Sequence, residues 1–281
     1  MVLIKKSLQQ NQSLFCFSSM ERLELLKAFL DEKARLYNQL FFIESDPVQI
    51  PHLFQKQEDI EISGFLTATL AWGQRKTIIN NALLLMKLMD NSPYDFIMTS
   101  GEKDLKPFEK YIHRTFNGDD CLFFMASLKN IYKNLGGLKQ VFYNNYQKNN
   151  SIKEALVGFR QAFFEIPHLN RTQKHVSDIV KNASAKRLNM FLRWMVRKDA
   201  NGVDFGIWDE INTRHLYIPL DVHTANTARK LGLLERTQND WKAVVELTDK
   251  LRVFDFNDPV KYDYALFGVS VFEKNNLNLF N

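Results

Sequence analysis

Hydrophobic residues recur at helical spacing along most of the chain. Between residues 20 and 42 they are separated by charged residues, which predicts an amphipathic helix. The same periodicity predicts further helices over 60–89, 93–100, 119–134, 137–148, 151–164, 186–198, 222–231, 241–252 and 260–272. Alternation of the kind that strands show is brief and rare. The pattern therefore predicts an all-α fold.

The connections between these helices follow from polar and turn-forming residues. The 60–89 segment becomes polar at Trp72–Lys76, which indicates either two helices that meet there or one helix with a functional interruption. Residues 103–110 and the polar stretch 165–185 are predicted to be irregular. Asp240 and Asp258-Pro259 are typical of helix starts, because an aspartate caps the first turn and a proline fits its first position.

Composition agrees with a helical protein. The chain has only 11 Gly and 7 Pro in 281 residues, fewer than the frequent turns of a β-sandwich normally need, and its 23 Phe can fill a sizeable core. We predict a single domain over 20–281. Residues 1–19 do not resemble a signal peptide, because the polar run Gln9–Gln12 interrupts their apolar stretch. They are predicted to form a disordered extension, with Met20 as an alternative start.

Charge and cysteine content narrow the possible partners. The net charge of +5 is compatible with a polyanionic partner but does not require one. Cys16 and Cys121 are far apart, so neither a cysteine-ligated metal site nor a disulfide scaffold is expected, and the chain fits a reducing cytoplasm. No run of 18 apolar residues is present. We expect no metal, no cofactor, no membrane span and no obligate protein partner.

The helix predicted from residue 186 has two distinct faces. Leu188, Phe191, Leu192 and Met195 form an apolar stripe, while another face carries Lys186, Asn189, Arg193 and Arg197. The basic face fits either a helix that contacts phosphates or an ordinary solvated surface. Lys186 has a further possible role, because a lysine amine with a lowered pKa can attack an electrophilic carbon and form a Schiff base.

The segment Tyr217–Thr224 is an apolar approach that ends in Asp221, at the start of a predicted helix. Helix capping alone would explain an aspartate there, because its carboxylate accepts backbone N–H groups. The same carboxylate can also stabilise a cation that develops nearby. The two roles are compatible.

Three segments together resemble the helix-hairpin-helix DNA glycosylases, nearest the archaeal 8-oxoguanine glycosylase branch. "IPLDVHT" resembles the segment that carries their essential aspartate, "SAKRLN" resembles the second hairpin helix with the catalytic lysine, and "LAWGQRK" resembles a turn whose glutamine fills the space of a flipped base. Asp221 follows Lys186 by 35 residues, as in a branch with an extended connection. The chain as a whole also resembles a bacterial family of unknown function, domain-of-unknown-function family 2400, through "KRLNMFLRWMVR" and "IPLDVHT".

The resemblance implies two interleaved helical lobes that flank a cleft, and a base-excision glycosylase and AP lyase with Lys186 and Asp221 as its catalytic pair. The expected partner is double-stranded DNA with a damaged base, an oxidised purine being the candidate, and a bacterial protein of this kind would act at the nucleoid. Trp72 and Trp194 are candidates for stacking on the flipped base, with core packing as the alternative for both. The expected DNA contacts are Gln74, Arg75, Lys76, Lys181, Ser184, Arg187 and Arg193.

One departure from the glycosylase pattern leaves a second function open. Those enzymes carry a Gly-x-Gly hairpin whose backbone N–H groups bind a phosphate, but Val180–Ser184 contains no glycine. The four-cysteine iron–sulfur cluster of some members is also absent. The alternative is therefore a non-catalytic nucleic-acid-binding protein that retains the fold. A third possibility is a fortuitous match, which predicts no DNA binding.

Overall fold

The computed structural model describes residues 19–273, so the predicted extension at 1–19 lies outside it except for Ser19. The described chain is helical and has no strand, only two isolated β-bridges. The all-α prediction is confirmed. The helices are α1 Ser19–Tyr37, α2 Leu40–Ser45, α3 Gln57–Leu70, α4 Arg75–Leu88, α5 Pro93–Thr99, α6 Glu102–Leu105, α7 Gly118–Asn134, α8 Leu138–Tyr146, α9 Ile152–Phe163, α10 Lys186–Val196, α11 Val222–Lys230, α12 Trp241–Phe254 and α13 Tyr262–Phe272.

Two helices, α3 and α4, meet near Trp72–Lys76, as in the first of the two alternatives that the sequence left open, and the break between them covers residues 71–74. Gly73 has φ +106, a conformation that favours glycine, and the side chain of Arg114 lies against it, 2.7 Å from where a Cβ would stand. Asp240 caps α12 as predicted, by accepting a hydrogen bond from the Ala243 N–H at 3.1 Å.

Two boundaries differ from the prediction. The segment expected to be one helix over 20–42 divides into α1 and α2. The region 103–110, expected to be a loop, forms most of α6 and a 3-10 helix at Lys106–Lys110. That loop prediction was wrong because Pro107 sits in the first turn of the 3-10 helix, where its missing N–H is not needed.

The core centres on α3, whose residues from Ile60 to Leu70 are all buried. Phe65 contacts Phe124, Phe159, Phe163 and Phe191 with ring centroids 5.3–5.9 Å apart. Phe191 brings α10 onto α3, and Gly64 permits the close approach, because a Cβ there would lie 3.2 Å from the Met195 methyl. This packing fixes α10, whose first residue is Lys186.

Candidate active site

A cavity of about 820 Å³ lies where α4, α10, α11 and α13 meet, and Lys186 and Asp221 both line it. The Lys186 Nζ is 4.0 Å from the Asp221 Oδ2. The two side chains are 27% and 22% exposed, so both are accessible from the cavity. The structure thus brings together the two residues that the sequence selected as a pair.

Asp221 is held by the helix that it caps. Its Oδ1 accepts a hydrogen bond from the Thr224 N–H at 2.9 Å, at the start of α11. This leaves Oδ2 directed towards Lys186. The capping role inferred from the sequence is confirmed, and it accounts for only one of the two carboxylate oxygens.

Lys186 is placed by an unusual turn. Ala185 precedes α10 with φ +50 and ψ 33, a left-handed conformation that non-glycine residues rarely adopt. Its methyl group is buried, and no side chain caps the helix. The tight turn starts α10 at the cavity wall, so its first residue projects into the cavity.

The basic face expected on α10 is neither solvated nor available to phosphates beyond its first turn. Asn189, Arg193 and Arg197 are each at most 3% exposed. Arg193 pairs with Asp263 and Asp204, and Arg197 pairs with Asp199, Asp204 and Asp258. Both interpretations of this face were therefore wrong for these residues, because sequence periodicity cannot show that buried carboxylates from other segments neutralise the arginines.

The segment that resembles the glycosylase hairpin uses its own backbone donors internally. The N–H groups of Val180 and Ala183 bind the Asp178 side chain and carbonyl, at 3.0 and 3.1 Å, and those of residues 181 and 182 bind the carbonyls of 178 and 179. Asn182 takes the left-handed conformation, φ +64, and its side chain binds Asp240 at 2.8 Å. The turn that glycine would make is thus made by asparagine, but these four N–H groups already have acceptors.

The two tryptophans proposed for the base pocket have different environments. Trp72 lines the cavity, with the Arg187 guanidinium 4.9 Å from its ring centroid and His113 packed edge-on at 4.8 Å. Trp194 is completely buried, on the part of α10 that faces away from the cavity lining. Trp194 is therefore a core residue, the alternative noted above, and the prediction that it stacks on a base is wrong.

The residues predicted to contact DNA fall into three groups. Arg75, Ser184 and Arg187 line the cavity, and the Arg187 Nη1 also donates to the Thr69 carbonyl at 2.6 Å. Gln74, Lys76 and Lys181 are exposed but do not line it. Arg193 also contributes to the cavity lining, but its guanidinium is paired with Asp204 and Asp263. The prediction that it contacts a phosphate is therefore wrong for this arrangement.

Sequence reasoning missed two carboxyl groups in the cavity wall, Asp46 and Asp263. Burial raises the pKa of Asp263 to about 6 despite the nearby Arg193, and it raises the pKa of Asp46. Lys186 interacts electrostatically with both. Asp46-Pro47 was interpreted only as a helix break, and Asp263 lies inside the predicted last helix, where the pattern gave no sign that it faces a lysine 77 residues earlier.

Two further observations concern residues 19–273 alone. They contain no group of three or more His, Cys, Asp or Glu side chains placed to hold a metal ion. Over the same range, none of the helices has the length and apolar character needed to cross a membrane.

The fold and the cavity define an all-helical protein with a lysine–aspartate pair in a shared pocket. The family model described as "Protein of unknown function (DUF2400)" matches residues 46–272, most of the chain. The chain therefore belongs to the DUF2400 family, as its sequence resemblance indicated. Searches of curated proteins and of solved structures found no match for it.

Proposed function

We propose that this protein is a DNA base-excision glycosylase with β-lyase activity, in which Lys186 and Asp221 act together. The observation that carries the proposal is their position, 4.0 Å apart in one cavity. A nucleophile and a carboxylate at this separation can flank a reacting carbon, given small adjustments on substrate binding. The helix-hairpin-helix architecture, with two lobes around a DNA-binding cleft, belongs to the same proposal.

The chemistry would proceed at the sugar of a flipped nucleotide, because the glycosidic carbon is inaccessible inside a duplex. The Lys186 amine forms a bond to C1′, the C1′–N bond breaks, and the base departs with the electron pair. Asp221 stabilises the positive charge that develops on the sugar. The C1′–O4′ bond of the sugar ring then breaks and O4′ takes up a proton, which leaves a Schiff base between Lys186 and C1′. This Schiff base permits loss of a C2′ proton and cleavage of the C3′–O bond.

The surroundings of the pair support a nucleotide as the ligand. A cavity of 820 Å³ is within the range of sites that bind small molecules, and its wall combines Trp72 with the cations Arg75 and Arg187. Aromatic rings stack on bases, and arginines pair with phosphates. Because the hairpin N–H groups are occupied, we assign phosphate binding to these side chains, together with the exposed Gln74, Lys76 and Lys181, rather than to the hairpin backbone.

The test is borohydride trapping of the protein on an abasic-site duplex and on duplexes with 8-oxoguanine, hypoxanthine or uracil, at low salt. We expect a covalent complex with the wild type and none with Lys186→Ala. Lys242→Ala is a matched control, since Lys242 is exposed in the first turn of α12 and does not line the cavity. Absence of a trapped complex on every duplex would overturn the lyase assignment.

The same samples distinguish the non-catalytic alternative. A protein that only binds nucleic acid would retain salt-dependent affinity for duplex DNA without forming product. Asp221→Asn would then leave that affinity unchanged, and no variant would affect any reaction. Absence of DNA binding as well would indicate that the glycosylase resemblance is fortuitous.

A further inference from the structure

Asp46 and Asp221 are held in the same way on the cavity wall. The Asp46 Oδ1 accepts a hydrogen bond from the Val48 N–H at 3.0 Å and so caps the 3-10 helix Pro47–Gln49. Asp221 caps α11 through its own Oδ1. Each aspartate therefore fixes its carboxylate through one oxygen and has a second oxygen at the cavity.

The second oxygen of Asp46 accepts no hydrogen bond from residues 19–273, and it is not fully buried, so the cavity reaches it. Asp46 is only 9% exposed, although it lines the cavity. A largely buried carboxylate that accepts a single hydrogen bond is stabilised either by protonation or by a ligand in the cavity that donates to its second oxygen.

The charges that face Asp46 come from two helices. They are Arg75 at the start of α4, and Lys186 and Arg193 on α10. Asp221 and Asp263 line the same cavity. Arg193 is neutralised by Asp204 and Asp263, and the Arg75 guanidinium lies 5.4 Å from the Phe267 ring centroid. Lys186 is thus the nearby cation that can give up a proton, because an arginine does not.

We propose that Asp46 is the general acid of this site and protonates the base as it departs. The inference rests on the proposed function. The Asp46 O–H bond breaks and its proton goes to a nitrogen of the base, while the Lys186 amine forms the bond to C1′ and the C1′–N bond breaks. The base leaves neutral, and Asp46 becomes a carboxylate.

Lys186 and Asp46 can generate both reactive forms by exchanging one proton. Transfer from the Lys186 ammonium to the Asp46 carboxylate gives a neutral amine and a carboxylic acid, with no change in total charge. A ligand that excludes water from the cavity favours this neutral pair, because charges are poorly solvated at low dielectric. After the attack, the Lys186 nitrogen carries a positive charge, and the Asp46 carboxylate can accept the proton that this nitrogen loses.

Asp46→Asn tests the inference without removing the cap, because asparagine caps helices as well as aspartate. An abasic-site duplex has no base to protonate, whereas the 8-oxoguanine, hypoxanthine and uracil duplexes do. We expect Asp46→Asn to release bases about 10²- to 10⁴-fold more slowly. Trapping of the abasic duplex, where Asp46 only accepts the proton of Lys186, should fall by a smaller factor, and an equal loss in both reactions would overturn the role of Asp46 as the acid. Asp59→Asn is the control, since Asp59 also accepts a backbone N–H and burial also raises its pKa, but it lies outside the cavity.

The pH profile provides a readout that a structural role would not change. The reactive state of the Lys186–Asp46 pair holds one proton, so base release by the wild type should be fastest at intermediate pH and fall on either side. Asp46→Asn cannot supply that proton and should lose the fall at high pH. Carboxyl ¹³C NMR of labelled aspartate, compared between wild type and Asp46→Asn, should place the Asp46 titration above the ordinary value of 3.8.

The outcomes separate the two proposals. If the wild type traps the abasic duplex but Asp46→Asn releases bases at the wild-type rate, Asp46 is not the acid and the proposed function stands. If the wild type releases none of the three bases, the NMR titration decides, and a midpoint at or below 3.8 overturns the inference. If the wild type traps no duplex, the proposed function fails, and the role of Asp46 fails with it.

Discussion

Replacement of Arg193 by methionine should reveal how strongly the buried charges hold α10 in place. Arg193 is 3% exposed and pairs with Asp204 at 3.3 Å and with Asp263. Methionine fills similar space without the charge. Asp204 keeps its ion pair with Arg197, at 3.0 Å. Within residues 19–273, Asp263 keeps only the hydrogen bond from the Thr224 hydroxyl, at 3.3 Å. Asp263 is therefore the carboxylate that is left mainly without a compensating charge when Arg193 is replaced.

Removing one partner of a buried ion pair costs about 3–5 kcal/mol, because the other charge stays buried without compensation. We expect Arg193→Met to lower the free energy of unfolding by this amount at pH 8. The pKa of Asp263 is already raised to about 6 in the folded protein, and the loss of Arg193 raises it further. The folded state then binds the proton more tightly than the unfolded state does, so the cost should grow from pH 5 to pH 8.

Urea unfolding followed by circular dichroism at pH 5 and pH 8 measures both effects. Lys27→Met is the control, because the Lys27–Asp31 pair is 46% and 32% exposed and should contribute less than about 1 kcal/mol. The double variant Arg193→Met/Asp263→Asn should recover part of the loss at pH 8. The reasoning would be refuted if Arg193→Met and Lys27→Met lowered the free energy of unfolding equally. It would also be refuted if the loss caused by Arg193→Met were larger at pH 5 than at pH 8.

Three further variants test the site and its supports. Asp221→Asn should keep the α11 cap, and so change unfolding free energy by less than about 1 kcal/mol, but reduce borohydride trapping, because the carboxylate charge is lost. Ala185→Gly should raise the unfolding free energy by about 1 kcal/mol, since φ is +50 there; an unchanged urea midpoint would contradict this. Gly268→Ala should lower the unfolding free energy by about 1–3 kcal/mol, because the new Cβ would lie 2.2 Å from Tyr37 Cδ2. A wild-type urea midpoint for this variant would show that the α1–α13 contact can adjust.

Helix positions were predictable because local signals determine them. The start of α12 at Asp240 and the break at Gly73 depend on capping and on glycine conformation, which act within a few residues. The division of the first predicted helix and the helix at Lys106–Lys110 were missed. In the first case the hydrophobic periodicity continues across the bend between α1 and α2. In the second case a proline, which normally indicates the end of a helix, lies in the first turn of the 3-10 helix.

The burial and ion pairing of the α10 arginines could not be predicted from local signals. Their spacing shows that they share a face, but whether that face meets solvent depends on Asp204, Asp258 and Asp263, which come from distant segments. The same limit applies to Asp46, which lies 140 residues before Lys186 and reaches the same cavity. Local patterns place helices, whereas long-range packing selects the residues that share a site.

Lys186 and Asp221 now rest on different physical arguments. Asp221 would be favoured at its position by capping alone, so its presence does not by itself indicate catalysis. Lys186 has no such structural reason: it begins α10 after a strained turn, and its amine enters a cavity that also holds Asp46, Asp221 and Asp263. The charge of Lys186 reduces the cost of burying Asp46 and Asp263, but this requires neither the left-handed turn before it nor an amine that is accessible from the cavity. The cavity around Lys186 is therefore the stronger argument for chemistry, and the lysine variants are the ones that decide it.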